Sequence, residues 1–205
     1  MRKLIAAVMI SLDGVIQAPG GPGEDRSGGF ALGGWAWPYA SDGEAMDGLF
    51  RRPFALVLGR LTYDIFAGYW PQVASDAPHG AIADAFNAAT KHVATHRPDT
   101  LEWAHSHALG DDVVDALRAL KRTDGPDLVI QGSSGLLHQL LASDVVDELR
   151  LLVYPIVLGR GKRLFDGHAR AAAFRLAGTR ATPTGVIVSR YEREGDVRTG
   201  SFADG

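Results

Sequence analysis

Apolar residues occur along the chain both as short continuous runs and as stripes at helical spacing. Two runs, Leu4 to Ile10 and Phe54 to Leu58, are apolar at every position, which is typical of strands buried on both faces of a sheet. A third run, Leu128 to Ile130, leads into leucines between residues 136 and 141 that lie one helical turn apart. Strands that alternate with helices in this way predict a parallel sheet covered by helices.

Further helices and strands are predicted between these runs. The spacing of apolar residues predicts helices over Asp42 to Arg51 and over His79 to Thr90, and a third that Gly110-Asp111-Asp112 caps. Strands are predicted over Lys91 to Thr95 and near Leu101–Trp103.

The pattern changes after Asp144. Three predicted strands, Glu148 to Leu158, Ala173 to Gly178 and Gly185 to Glu192, follow one another with no helix between them. Strands joined by tight connections are antiparallel to each other. The sequence therefore predicts an α/β fold in which antiparallel strands complete a mostly parallel sheet, and we expect one domain over residues 1–205.

Composition excludes several classes of protein. With 21 basic and 24 acidic residues the net charge is −3, so we expect no nucleic-acid partner. The absence of cysteine excludes disulfides, thiolate metal sites and thiol nucleophiles. The N-terminal apolar run is short and is followed by Asp13, so it predicts a central strand and not a secretion signal. We expect a cytoplasmic protein with no membrane partner.

The turn Gly132-Ser133-Ser134-Gly135 joins the third apolar run to its helix. The first N–H groups of such a helix have no backbone partner, and with the helix dipole they form a site for an anion, most often a phosphate. Gly132 and Gly135 lack the Cβ atoms that would keep a pyrophosphate from the backbone. The turn also matches an ordinary connection with a capping serine, because it is not a complete dinucleotide-binding or Walker motif.

Two other predicted strands end in polar groups, Gly59-Arg60-Leu61-Thr62 and Thr95-His96-Arg97. The carboxyl ends of parallel strands lie along one edge of a sheet, so a single extended dinucleotide could contact all three motifs. Arg60, His96 and Arg97 are cations suited to a 2′-phosphate, which favours NADPH over NADH. Any one of them alone could instead be a solvated loop charge.

Other candidate groups lie on the loops after the first and sixth predicted strands. Gly14 to Gly34 is a long glycine-rich segment of the kind that forms lids, binding loops or disordered regions. The aromatic residues that follow it, Trp35, Trp37 and Tyr39, could stack on a flat heterocycle or anchor the loop to the core. The loop after the sixth predicted strand contains Arg160, Lys162 and Arg163, and it could bind a substrate phosphate or be an exposed hairpin.

Two further motifs give negative results. His105 and His107 lack the i, i+4 spacing of a helical zinc site and have no evident third ligand, so we expect no metal. No Gly-x-Ser-x-Gly segment is present, which argues against an α/β-hydrolase.

Four segments, LIAAVMISLDGVI, FALVLGRLTYDIF, KHVATHRP and VIQGSSGLLHQLL, resemble the dihydrofolate reductase fold in order and spacing. The tail VDELRLLVYPIVLGRGKRLF is similar to the RibD C-terminal reductase of riboflavin biosynthesis and its stand-alone relatives. The resemblance extends from about Arg2 to Glu194. It implies a three-layer α/β/α fold with a mostly parallel central sheet and antiparallel C-terminal strands, and a homodimer.

The resemblance also implies roles for the motif residues. At the end of the second strand, the residues that would contact the cofactor phosphates are Gly59, Arg60 and Thr62. After the third strand, the residues that would face the adenosine and its 2′-phosphate are Thr95, His96 and Arg97. The glycine turn would hold the pyrophosphate with Gly132, Ser133, Ser134 and Gly135. Asp13 and Gly14 would border nicotinamide and substrate, with Trp35 and Arg160 as further candidate substrate contacts. Asp13 is the candidate catalytic acid, or else a turn cap. Folate reductases place a buried acid on the first helix, where Asp42, Glu44 and Asp47 are candidates or ordinary surface acids.

By this resemblance the chain is an NADPH-dependent reductase. It would transfer hydride to a pyrimidine- or pterin-like molecule, most like 5-amino-6-(5-phosphoribosylamino)uracil reductase of riboflavin biosynthesis. A dihydrofolate reductase is one alternative, and a non-catalytic NADPH-binding or sensing protein is another.

Overall fold

Eight strands form one sheet in the computed structural model, which describes residues 1–39 and 50–202. The strands are β1 (Leu4–Ser11), β2 (Phe54–Gly59), β3 (Lys91–Ala94), β4 (Ser106–Ala108), β5 (Asp127–Ile130), β6 (Glu148–Tyr154), β7 (Ala173–Ala181) and β8 (Ile187–Gly195). Their spatial order is β4-β3-β2-β5-β1-β6-β8-β7. The first six in this order are parallel, whereas β8 is antiparallel to both β6 and β7. The predicted mostly parallel sheet with antiparallel C-terminal strands is confirmed.

Four helices within the described residues pack on the two faces of this sheet. These are α1 (Arg60–Tyr69), α2 (Gly80–Ala88), α3 (Val113–Lys121) and α4 (Ser134–Ala142). The apolar faces of α3 and α4 cover one side of β1, β2 and β5, and α1 and α2 cover the other. Strands β1, β2 and β5 are therefore buried on both faces, which is why their sequences are apolar at consecutive positions.

The glycine-rich segment forms a third apolar cluster against β6 and β8. Val15, Phe30 and Trp35 pack there against Leu152 and Tyr154. The segment is a loop whose own apolar residues cover this part of the sheet, and none of the helices α1 to α4 contributes a residue to the cluster.

Several predicted boundaries need correction. The prediction of a strand near Leu101–Trp103 is wrong, because the fourth strand forms five residues later, at Ser106–Ala108. The Trp103 main-chain N–H donates to the Tyr63 hydroxyl at 2.9 Å and its indole N–H to Asn87 at 2.9 Å. Both donors thus face helices α1 and α2 and not a neighbouring strand. Strand β6 ends at Tyr154, before Leu158, because Pro155 lacks the N–H that the ladder requires.

Two other predicted features are the cap of α3 and the helix over Asp42 to Arg51. Asp112 caps α3 as expected, since its carboxylate accepts a 2.9 Å hydrogen bond from the Asp115 N–H. The predicted helix over Asp42 to Arg51, with its acids Asp42, Glu44 and Asp47, lies almost wholly outside the described residues. Within residues 1–39 and 50–202, no helix has the length and apolar character needed to cross a membrane.

Candidate functional site

The sheet order brings the predicted motifs together at one edge. The carboxyl ends of β3, β2, β5, β1 and β6 follow one another along this edge, because these five strands are adjacent and parallel. The three motifs predicted for the cofactor thus follow neighbouring strands, and the segments after β1 and β6 lie beside them. Ligands of open parallel sheets bind outside these carboxyl ends.

Glycines bring the ends of β2 and β5 into direct contact. The Gly59 N–H donates to the Gly132 carbonyl at 3.1 Å. A Cβ atom on Gly59 would lie 2.2 Å from the Ser133 hydroxyl oxygen, and one on Gly132 would lie 2.8 Å from the Thr62 hydroxyl oxygen. Gly132 also has a φ of +135°, which disfavours other residues. Both glycines are therefore required for the close approach of the two turns.

The start of α4 lies at the middle of this edge. Ser133 is its N-cap residue with extended backbone angles, but its hydroxyl accepts no hydrogen bond from the described part of the helix. An added Cβ on Gly135 would meet no atom within 4 Å. The Ser133 hydroxyl therefore does not cap α4, and there is open space beside Gly135 in its first turn.

Arg60 joins the ends of β2 and β3. Its Nη1 donates to the Thr95 hydroxyl at 3.4 Å, to the Arg97 carbonyl at 3.2 Å and to the Thr100 hydroxyl. The Thr95 hydroxyl in turn accepts the Arg97 N–H at 3.0 Å. His96 is exposed beside them. The predicted adenosine residues are thus held in one loop against the first turn of α1.

Asp13 is held as an ionised acceptor. Its carboxylate accepts hydrogen bonds from the Ser11 hydroxyl at 2.7 Å and from the N–H groups of Leu158 and Gly159 at 3.1 and 2.9 Å. These hydrogen bonds, that from Ser11 first, lower the pKa of Asp13 to about 2. This geometry fits the turn-forming role that the sequence left open, and such a low pKa does not suit a proton donor at neutral pH.

The glycine-rich loop and the loop after β6 hold each other in place. The Gln17 side chain accepts from the Lys162 N–H at 3.0 Å and donates to the Ser27 carbonyl at 3.0 Å. Lys162 Nζ also pairs with Asp25 at 2.7 Å. Gly14, with a φ of +85°, turns the chain so that its carbonyl accepts from the Leu164 N–H at 2.9 Å. The two loops therefore form one unit at the end of β1 and β6.

The other candidate substrate residues differ in exposure. Trp35 is buried, its indole N–H donates to the Gln17 carbonyl at 2.8 Å, and its ring packs edge-on at 5.3 Å from Tyr154. This arrangement is that of an anchor, whereas Trp37 is 79% exposed. Arg160 is exposed and lines an open cavity of about 230 Å³ between the two loops, with Gln17, Ser27, Gly28, Phe30, Gly161 and Lys162.

Two residues of this region had not been singled out from the sequence. Asp64 lies on α1 one turn after Arg60 and pairs with it at 2.8 Å, and the i, i+4 spacing was the signal that could have revealed it. His138, on α4, lies 2.7 Å from the Arg163 carbonyl and 3.0 Å from the Asp166 carboxylate, so it ties α4 to the loop after β6. No group of histidine, aspartate and glutamate side chains able to hold a metal occurs among the described residues.

Comparisons with known proteins agree with this architecture. The family model described as the RibD C-terminal domain matches residues 2–188. A protein from Shewanella sp. PV-4 ascribed to riboflavin biosynthesis has a crystal structure that superposes with a TM-score of 0.65 and 22% identity, covering 94% of this chain and 99% of that one.

Two further solved structures share the fold at lower similarity. A pyrimidine reductase-like protein from Corynebacterium diphtheriae gives a TM-score of 0.58 and 18% identity, over 95% of this chain and 93% of that one. The dihydrofolate reductase of Enterococcus faecalis, complexed with NADP(H) and RAB-propyl, gives a TM-score of 0.57 and 18% identity, over 93% of this chain and 96% of that one. At these identities the structural matches establish the fold alone.

Proposed function

The chain belongs to the RibD C-terminal domain family, and we propose that it is an NADPH-dependent reductase that transfers hydride to a pyrimidine- or pterin-like heterocycle. The observation that carries the proposal is the joining of three strand ends into one surface. Gly59 and Gly132 bring β2 and β5 into contact, and Arg60 ties β2 to the loop after β3. A phosphorylated dinucleotide needs such a continuous surface of backbone N–H groups and cations.

The residues present fit this cofactor. The open backbone at Ser134 and Gly135 would hold the pyrophosphate at the start of α4, and Thr62 would lie beside it. Arg97 and His96, both exposed, would face the 2′-phosphate. When bound, NADPH supplies the hydride, while the chain supplies orientation and excludes water.

The neighbouring loops and one structural neighbour support the substrate class. The cavity beside Arg160 lies between the loops that follow β1 and β6, and the nicotinamide would reach the end of β1 in this arrangement. Arg160 makes no ion pair with the described residues, so it is available for an anionic substituent of the substrate. One structural neighbour is a pyrimidine reductase-like protein. This favours a pyrimidine as the first substrate to test, namely 5-amino-6-(5-phosphoribosylamino)uracil.

A second candidate is a protein that binds NADPH without catalysis. The observation that favours it is the Asp13 carboxylate, whose oxygens already accept three hydrogen bonds and whose pKa is about 2. An Asp13 that stays ionised supplies no proton, so reduction would draw the proton from water, from the substrate, or from Asp42, Glu44 or Asp47, which lie outside the described residues.

One experiment separates the two candidates. Calorimetric titration with NADPH is followed by measurement of NADPH oxidation with the ribosylamino-pyrimidine phosphate and, separately, with dihydrofolate. We expect binding and turnover of the pyrimidine. Binding without turnover of either compound would favour the non-catalytic candidate, and failure to bind NADPH would contradict both.

A further inference from the structure

Three charged side chains meet where the loop after β3 contacts the start of α1. Arg60 Nε donates to both carboxylate oxygens of Asp64, at 2.8 and 3.0 Å. Arg97 Nη2 lies 3.9 Å from the same carboxylate. One acid therefore lies between Arg60 and Arg97, and the proposed function places Arg97 at the 2′-phosphate of the cofactor.

Arg60 is already committed to the protein. Its Nε donates to Asp64, and its Nη1 donates to the Arg97 carbonyl and to the Thr95 and Thr100 side chains. Only 21% of its side chain is exposed. Because Nε and Nη1 are both engaged, neither edge of the guanidinium can offer two free N–H groups to a phosphate. The geometry makes Arg60 a positioning residue for the loop after β3.

Arg97 is in the opposite situation. Its side chain is 63% exposed, and its contact with Asp64 is longer than a hydrogen bond. It can therefore turn towards a ligand. A phosphate monoester that reaches it carries a charge of about −1.5 to −2 at neutral pH, and it would lie close to the negative charge of Asp64, which is 42% exposed.

We propose that Asp64 is a specificity-determining residue that weakens the preference of this protein for NADPH over NADH. The carboxylate repels a 2′-phosphate and partly neutralises the arginine that would bind it. The 2′-hydroxyl of NADH carries no charge and can donate a hydrogen bond to a carboxylate, as it does to the acid of Rossmann dinucleotide sites. This inference rests on the proposed function, since it assumes that the edge binds a nicotinamide dinucleotide.

The test measures the dissociation constants of NADPH and NADH for three variants and the unmodified protein. Asp64→Asn removes the charge but keeps a carbonyl oxygen that can accept from Arg60, so the loop stays in place. Arg97→Gln removes the exposed cation. The matched control is Glu194→Gln, which also removes one exposed negative charge. Glu194 lies near the end of β8, beside the start of β6 and therefore away from the carboxyl ends of the parallel strands.

We expect Asp64→Asn to tighten NADPH binding about fivefold or more, as for the removal of a like charge a few ångströms away, and to leave NADH binding unchanged or weaker. Arg97→Gln should weaken NADPH and spare NADH, and Glu194→Gln should change neither. The gain in Asp64→Asn should shrink in high salt.

Two results would overturn the inference, and they differ from failure of the proposed function. If Asp64→Asn changes neither dissociation constant, the residue has no role in specificity, and an equal fold change for both nucleotides would show a merely structural role. If the unmodified protein binds neither nucleotide, the cofactor proposal itself fails and this inference fails with it.

Discussion

Gly135→Ala separates binding of a pyrophosphate from stability of the fold. Gly135 lies in the first turn of α4, has no positive φ, and an added Cβ would meet no atom of the protein within 4 Å. The added methyl group therefore costs nothing in packing. It would occupy the open space in front of the helix start, where the proposed pyrophosphate would lie.

The expected effect on stability follows from the unfolded chain. A glycine loses more conformational freedom on folding than alanine, so Gly→Ala at a compatible position stabilises a protein by about 0.4–1 kcal/mol. We therefore expect the midpoint of thermal or urea unfolding to stay the same or to rise slightly. The dissociation constant for NADPH should increase by about tenfold or more, which corresponds to about 1.4 kcal/mol of lost binding.

The chain offers a matched control for this substitution. Gly68 also lies in a helix, α1, and an added Cβ there also meets nothing within 4 Å, but it is far from the strand-end turns along its helix. Gly68→Ala should give the same small gain in stability and leave NADPH binding unchanged. The reasoning would be refuted if Gly135→Ala bound NADPH as tightly as Gly68→Ala, since the phosphate would then not lie against the start of α4.

Further predictions concern the packing and the titration of the site. Gly59→Ala should lower the free energy of unfolding by about 1–3 kcal/mol, because the added Cβ would lie 3.0 Å from the Ser133 main-chain N. Urea unfolding measures this loss of stability, and an unchanged midpoint would contradict the close contact. The hydrogen bonds from Ser11, Leu158 and Gly159 lower the pKa of Asp13 to about 2 in the folded state, from an ordinary 3.8. The stability that the ionised carboxylate contributes is therefore present above pH 4 and is lost as pH falls towards 2. Asp13→Asn should flatten that part of the acid unfolding curve. Burial lowers the pKa of Lys91 to about 8 from 10.5. Between these values the unfolded chain holds the proton and the folded protein has released it, so the free energy of unfolding should rise with pH. Lys91→Met should abolish that rise, and an identical rise in both proteins would contradict the prediction.

The elements that could be predicted from the sequence are those with a strong local pattern. Strands β1, β2 and β5 are central, and burial on both faces makes every position apolar. Strand β4 has three residues, none of them strongly apolar, and lies at the sheet edge, so it leaves no such pattern. The apolar signal nearby came from Trp103, which packs against Lys91 and Tyr63 on a face of the sheet.

The candidate site was predictable in its position along the chain but not in its contacts. The glycines and cations at three strand ends were visible as motifs, and parallel topology was enough to place them on one edge. Whether Trp35 stacks on a ligand or anchors the loop depends on Gln17 and Tyr154, which lie on other elements. The low pKa of Asp13 depends first on the nearby Ser11 hydroxyl and then on the main-chain N–H groups of Leu158 and Gly159. These two N–H groups are distant in sequence and come close only because β6 is parallel to β1.

The charges of the edge explain where an anionic ligand can bind. Most of its cations have an acid as partner: Arg60 pairs with Asp64, Lys162 with Asp25, and Arg163 with Asp13. Two arginines remain available for an anion. Arg97, after β3, has among the described residues only the long ion pair to Asp64. Arg160, after β6, has no ion pair with the described residues, and the two lie at opposite ends of the edge.

Four strand spacings of about 4.8 Å separate these two ends, or roughly 19 Å. This separation suits a cofactor whose 2′-phosphate lies at one end and a substrate whose anionic group lies at the other, with the nicotinamide and the heterocycle meeting between them near β1. Arg97→Gln should therefore weaken NADPH binding without changing the KM of the heterocycle. Arg160→Gln should raise the KM of the heterocycle without changing NADPH binding. If both substitutions affected the same ligand, the two ligands could not share the edge in this order.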